Sequence, residues 1–194
     1  MKNIPSLIFA TNNSHKVIEI RQQLGDQFEI ITLKDAGILI DIPEPHNTIE
    51  ENASEKSKTI LELTGKDCFS EDTGLEVAAL YGEPGVKSAR YVEKNEQFSS
   101  NIEKLLFKLK GKTNKNAKFR TVISLRLNGK ETFFEGICRG KIIDNYKGIN
   151  GFGYDPVFIP EGSELTFAEM TIEEKSIFSH RAKAVKKLAE FLKQ

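Results

Sequence analysis

Apolar and polar positions along the chain switch repeatedly between a strand period and a helix period. Leu7–Ala10 is a short unbroken apolar run and reads as a buried strand. In "HKVIEIRQQL", Val17, Ile20 and Leu24 recur at helical spacing, which predicts a helix. "FEIITL" (Phe28–Leu33) is rich in strand formers. "TIEENASEKSKTILELTG" opens with Thr48 and Glu51 in capping-box spacing and closes on Gly65, so it predicts a second helix. "DCFS" then reads as a short strand running into a turn, "EDTG". A further amphipathic helix is predicted in "SSNIEKLLFKLKG". "AKFRTVISLRLNGKETFFEGICRG" alternates with period two, putting Phe119, Thr121, Ile123, Leu125 and Leu127 on one face. Asn128-Gly129 in its middle predicts a tight antiparallel hairpin. "PVFIP" reads as a strand, "TIEEKSIF" as a short capped helix, and "SHRAKAVKKLAEFLKQ" as a last helix with Ser179 as its cap.

Early β-α units followed by a long hairpin predict a mixed α/β fold. Its parallel part should carry its ligand site at the C-terminal ends of its strands. The 194 residues suit one domain spanning 1–194, with no internal repeat or low-complexity tract. Hydrophobic residues at 39% and charged residues at 29% fit a soluble globular chain rather than a disordered one. Lys+Arg and Asp+Glu total 28 each, so no basic surplus points to nucleic acid or an anionic membrane. The apolar runs are too short to span a bilayer. The N-terminal "MKNIPSLIFATNN" has too short an apolar core for a signal peptide, so a cytoplasmic location is expected. Cys68 and Cys138 stand far apart without CxxC spacing, and predict two reduced thiols rather than a disulfide framework or a zinc site.

Four stretches carry candidate chemistry. "TNNSHK" (Thr11–Lys16) follows the first strand and opens the first helix. Asn13 or Ser14 can cap that helix, leaving backbone N–H groups and a positive dipole end for an anion, with Lys16 adding a full charge. The same turn would serve an ordinary polar connection, and it is no Walker loop, since the glycines and the Lys-Ser/Thr pair are missing. In "FSEDTG", the acids Glu71 and Asp72 at the end of a strand can hold a hard cation. Glu44, between two prolines in "IPEPH", is a restrained third acid, whereas Glu50 and Glu51 read as helix-start charge. "GFGYDP" combines two glycines, two aromatics that can stack on a flat ring, and Asp155 as an acceptor. In "EEKSIFSHR", Arg181 falls in the first turn of a helix, where a cation opposes the dipole. Such a locally unfavourable choice points to function.

Taken together, "FATNNSHKVIEI", "IEENASEK", "SEDTGLEVAAL", "GEPGVKSARY", "GFGYDPVF" and "EEKSIFSHRAKAVKKL" resemble, in order and spacing, the inosine/xanthosine triphosphate pyrophosphatase family. The likeness runs from the first strand to the last helix. It implies an elongated, two-lobed α/β fold around a long mixed sheet with flanking helices, a nucleotide cleft and a homodimer. It also implies Mg²⁺-dependent cleavage of ITP, dITP and XTP to the monophosphate and pyrophosphate, which clears deaminated purines from the nucleotide pool. Carried onto this chain, the resemblance makes Thr11, Asn12, Asn13, Ser14, His15 and Lys16 a triphosphate cradle, and Lys56 a second phosphate contact. It makes Glu44, Glu71 and Asp72 the magnesium site, Asp72 the base that prepares the water, and Thr73 a substrate contact. Phe152, Gly153, Tyr154 and Asp155 fall in the base and sugar slot, and Lys175, His180 and Arg181 fall in purine recognition. Two positions depart from the family pattern. Asn12 stands where many members have glycine, and Glu71-Asp72 stands where bacterial members often have two aspartates. Two other readings start from the same residues. A pyrophosphatase of modified pyrimidine triphosphates on a related fold should lack "GFGYDP" and "SHR", and a binding module without catalysis should need no magnesium.

Overall fold

The structure, a computed structural model, describes residues 6–25 and 28–193. Its elements in chain order are β1 (Ser6–Phe9), α1 (Ser14–Leu24), β2 (Glu29–Thr32), α2 (Ile49–Thr64), β3 (Cys68–Val77) and β4 (Pro84–Gly85). There follow α3 (Asn101–Leu109), β5 (Asn116–Leu127), β6 (Lys130–Ile142), β7 (Phe158–Pro160), α4 (Ile172–Phe178) and α5 (His180–Leu192). The described strands form a mixed seven-stranded sheet in the order β2-β1-β3-β5-β6-β7, with β4 paired to β3. β1 runs parallel to both β2 and β3, while β4 on β3 and β7 on β6 are antiparallel. The α/β expectation therefore holds.

The chain divides into two compact units. The first holds the described residues up to Asp72, Thr121–Gly136, and those from Arg181 onward. The second holds Thr73–Arg120 and Ile137–His180. The backbone thus passes between the units at Asp72-Thr73, Arg120-Thr121, Gly136-Ile137 and His180-Arg181.

In the first unit, the helical stripe Val17, Ile20 and Leu24 packs with Leu7 and Phe9 of β1 and with Val185 and Leu188 of α5. The Phe9 and Phe69 rings stack at 4.5 Å and tie β1 to β3. In the second unit, Leu75 and Val77 of β3 pack with Leu105 and Leu109 of α3 and with Phe119 and Phe158. The caps predicted for α2 and α4 form. Thr48 accepts from Glu51 N at the start of α2, Gly65 ends it in the left-handed conformation (φ 64°), and Thr171 with Glu174 makes a full capping box on α4. Asn128 (φ 51°) and Gly129 (φ 75°) turn β5 into β6, as the two left-handed positions of a tight hairpin require.

Two local readings change. "DCFS" is only the first part of β3, and "EDTG" lies within that strand instead of forming a turn after it. The middle of β5 is buried at every position from Thr121 to Leu125, Val122 and Ser124 included, so alternation alone gives only one of its two covered faces.

Candidate active site

The first unit gathers its charged side chains around β1 and β3. β1 delivers the chain into α1 through Thr11–Asn13, where Thr11 Oγ1 accepts from Asn13 N at 3.2 Å. The Asn13 carboxamide caps α1, accepting from His15 N at 3.0 Å and Lys16 N at 3.2 Å. No acid sits in the first turn of α1, so its positive end is left for an anionic ligand. Asn12, in the place of a family glycine, donates from Nδ2 to Ile40 O at 3.0 Å and so fastens a second loop beside the turn. Ser14 and His15 are exposed on the same turn.

β3 sorts the acids by face, because neighbouring strand residues point in opposite directions. Ser70 and Asp72 meet α2: the Ser70 hydroxyl donates to Ala53 O, and Asp72 Oδ1 lies 3.2 Å from Lys56 Nζ. The same ammonium meets Glu44 Oε1 at 2.5 Å. Glu71 points the other way, toward α1 and α5. Arg181 donates to it in a two-pronged fork, Nε to Oε2 at 2.8 Å and Nη2 to Oε1 at 2.9 Å. Lys16 Nζ adds a contact to Oε1 at 3.0 Å, and Arg181 Nη1 pairs with Glu19 of α1. The cluster holds four carboxylates (Glu19, Glu44, Glu71, Asp72) against three cations (Lys16, Lys56, Arg181).

Burial acts differently on the two adjacent acids. At Glu71, only 1% exposed, burial would raise the carboxyl, but the charges of Arg181 and Lys16 outweigh it and hold the group well below the usual carboxylate range. At Asp72, burial pushes the carboxyl up, Lys56 pulls it back, and Glu44 adds to the rise. Asp72 Oδ2 is buried and has no hydrogen-bond partner among the described residues. That orphaned oxygen, the Glu44 carboxylate across Lys56, and the hardness of oxygen donors fit a magnesium ion, which binds through one or two carboxylates and completes its shell with water and phosphate oxygens. Glu71, expected as a third metal ligand, is engaged by Arg181 at both oxygens and leaves the strand on the face opposite Asp72.

The second unit holds a separate constellation built on "GFGYDP". Gly151 (φ 73°) and Gly153 (φ 62°) bracket Phe152. The Asp155 carboxylate accepts from Phe152 N at 2.8 Å and from Lys175 Nζ at 2.7 Å. Lys175 Nζ lies 5.2 Å from the ring centres of both Phe152 and Phe167. His180 stacks on Phe119 at 4.6 Å, with planes 14° apart. Thr73, half-buried, opens this unit on β3. Tyr154 is a packing residue in the geometry: it is buried, and its hydroxyl donates to Ser88 O at 3.0 Å. A Cβ at Gly151 would meet Asp155 Oδ2 at 2.1 Å, in a backbone conformation that L residues rarely adopt. Gly151→Ala is therefore expected to push the Asp155 carboxylate off Lys175 and to raise the KM for substrate more than it lowers kcat. Steady-state kinetics of the variant check this.

Arg181, expected in purine recognition, pairs here with two carboxylates. Its guanidinium is 1% exposed in the first unit and committed to Glu71 and Glu19. Burial would lower its pKa, but these two carboxylates overcome that and keep it charged. Glu19 is the residue that pattern reading passes over. It follows Lys16 by three positions on α1, so both share a face and reach the same partners, a signal present in the spacing but indistinguishable there from surface charge. Phe119 and Phe167 are buried, and their rings' approach to His180 and Lys175 links them to the site.

Residues 7–191 match the Ham1 family. A dITP/XTP pyrophosphatase of Flavobacterium psychrophilum is 49% identical over 187 residues, covering 96% of this chain and 98% of its own length. Another, from Porphyromonas gingivalis, is 48% identical over 187 residues and covers 96% of both chains. Among solved structures, the Ham1 protein of Staphylococcus aureus superposes with a TM-score of 0.85 at 37% identity, covering 97% of this chain and 98% of that one. A HAM1 protein of Coxiella burnetii gives 0.87 at 33% identity with the same coverage.

Proposed function

The chain belongs to the Ham1 family, and we propose from that premise that it hydrolyses ITP, dITP and XTP to the monophosphate and pyrophosphate, removing deaminated purines from the nucleotide pool. The observation that carries the reading is the pair Glu44 and Asp72 around Lys56, with an Asp72 oxygen buried and partnerless. In this reading Glu44 and Asp72 hold Mg²⁺, which supplies charge neutralisation on the phosphates when bound. The Thr11–Lys16 turn binds phosphate oxygens through backbone N–H groups at the start of α1, and Lys16 and Lys56 add fixed positive charge. Asp72 takes a proton from the attacking water. The water oxygen bonds to the α-phosphorus, the bond to the bridging oxygen breaks, and pyrophosphate leaves. Glu71 and Arg181 act as the frame that holds Lys16.

The second unit is proposed to take the base. Phe152 offers a face for a flat ring, and Lys175 is donor-only. A 6-oxo purine gives that donor an acceptor; adenine presents a 6-amino donor instead. Leaving one buried donor unpaired costs about 1–3 kcal/mol, enough to disfavour ATP. No helix among the described residues is long and apolar enough to cross a membrane. We place the enzyme in the cytoplasm as one catalytic domain and a homodimer that binds no nucleic acid. The family resemblance and the balanced charge support this, and light scattering in solution checks the dimer.

The test is pyrophosphate release from ITP, dITP, XTP, ATP, GTP and dUTP with Mg²⁺ and then with a chelator. Release confined to the first three, lost on chelation and restored by Mg²⁺, is expected. Preferential release from dUTP would favour the related pyrimidine pyrophosphatase. Binding without turnover would leave only a nucleotide-binding role.

A further inference from the structure

Within the first unit, four side chains close a ring at Ser57, the residue after Lys56 on α2. Arg126 Nε donates to Ser57 Oγ at 2.9 Å, and Ser57 and Ser124 hydroxyls lie 2.7 Å apart. Ser124 Oγ donates to Glu131 Oε1 at 2.7 Å, and Arg126 Nη2 returns to that same oxygen at 3.1 Å. Ser57 Oγ also lies 2.9 Å from Ser54 O; the carbonyl and the Glu131 carboxylate only accept, so the two serine protons are shared among three contacts, Ser57–Ser54 O, Ser57–Ser124 and Ser124–Glu131. Ser57 and Ser124 are fully buried, which makes the links costly to break.

The ring ties α2 to β5 and to the start of β6, and further bonds grip the backbone of the same helix turn. Arg126 Nη2 meets Ser54 Oγ at 3.2 Å, the Cys68 thiol donates to Ser57 O at 3.2 Å, and the Ser70 hydroxyl donates to Ala53 O. Lys56 sits inside this gripped segment, with its ammonium shared between Glu44 and Asp72. Burial pushes the Cys68 thiol up to about 12, so it stays protonated and remains a donor.

We infer that the Arg126-Ser57-Ser124-Glu131 ring is a positioning device that fixes the height and rotation of α2, and through it the place of the Lys56 ammonium against the phosphates. This rests on the reading of Lys56 as a phosphate contact. Ring residues touch no substrate; they act through Lys56 alone.

The experiment is a double-mutant cycle between Glu131→Ala and Lys56→Ala. Its readouts are ITP turnover with Mg²⁺, affinity for inorganic pyrophosphate by calorimetry, and thermal unfolding. Glu131→Ala is expected to weaken pyrophosphate binding and lower kcat/KM by roughly 10–100-fold, the scale of a small misplacement. Glu131→Gln, whose carbonyl still accepts from Ser124 and Arg126, should restore most of both. In the Lys56→Ala background, Glu131→Ala should have no further effect on either. Ser124→Ala opens the ring at a neutral side chain and should repeat the pattern if Glu131→Ala folds poorly. Equal losses with and without Lys56, or failure of Gln to rescue, would overturn the positioning role. Full activity in Lys56→Ala would overturn it together with the phosphate-contact reading, whereas loss in Lys56→Ala with wild-type behaviour in both ring variants would sink the ring alone.

Discussion

Asp72→Asn is expected to cut pyrophosphate release from ITP by about 10²–10⁴-fold, the contribution of a placed general base, with further loss from a weakened metal site. The fold should survive. Asparagine keeps the shape, and its carbonyl oxygen can still accept from Lys56, which lies 3.2 Å from Asp72 Oδ1. Stability should stay level or rise, because the wild-type carboxylate is 5% exposed with one buried oxygen that meets no donor. A group in that state costs free energy in the folded protein and is retained for what it does. Ligand and base roles both require the negative charge that asparagine lacks. Pyrophosphate release measured beside a thermal melt separates the outcomes. A variant that melts like the wild type yet turns over at under a hundredth of its rate fits the role. Undiminished turnover would move the base elsewhere and leave Glu44 as the acid to test next.

What the sequence makes visible here is what depends on neighbours along the chain. The first helix follows from Val17, Ile20 and Leu24 on one stripe, and its cap from Asn13, two and three residues before the N–H groups it accepts. The hairpin follows from Asn128-Gly129, whose left-handed backbone few other pairs adopt readily. β3 shows where this stops. Its Ser70, Glu71 and Asp72 look like the polar end of a strand, yet all three are buried in its interior. A hydrophobic pattern cannot register a strand whose faces are covered by ion pairs. The partner that makes Glu71 tolerable there, Arg181, is 110 residues away in sequence. Resemblance to a family collects Arg181 and Glu71 as functional without saying that they bind each other. The α/β class was therefore legible, and the pairing of Glu71 with Arg181 was not.

That pairing yields the largest expected effect on stability. Arg181→Ala leaves Glu71 at 1% exposure without its two-pronged partner and leaves Glu19 without Nη1, while Lys16 stays 3.0 Å from Glu71. Breaking a buried pair by removing one partner costs about 3–5 kcal/mol, because the surviving charge keeps its desolvation penalty. For a chain of this size, each kcal/mol moves the melting temperature by roughly 2–4 °C, so a fall of about 6–20 °C is expected. Arg181→Lys should recover only part of it, since an ammonium keeps the charge but not the fork. The double variant Arg181→Met with Glu71→Leu removes both charges and should recover more of the stability than either single change, as buried pairs replaced by apolar groups often do. Its turnover should nevertheless remain low, because Lys16 then loses the carboxylate that aims it at the phosphates. If Arg181 instead served the purine directly, Arg181→Ala would raise the KM for ITP with little change in melting temperature, and the double variant would be no more stable than the wild type with Glu71 alone replaced. Melting curves of these variants beside the wild type decide between a structural frame and a base contact before any kinetic measurement is made.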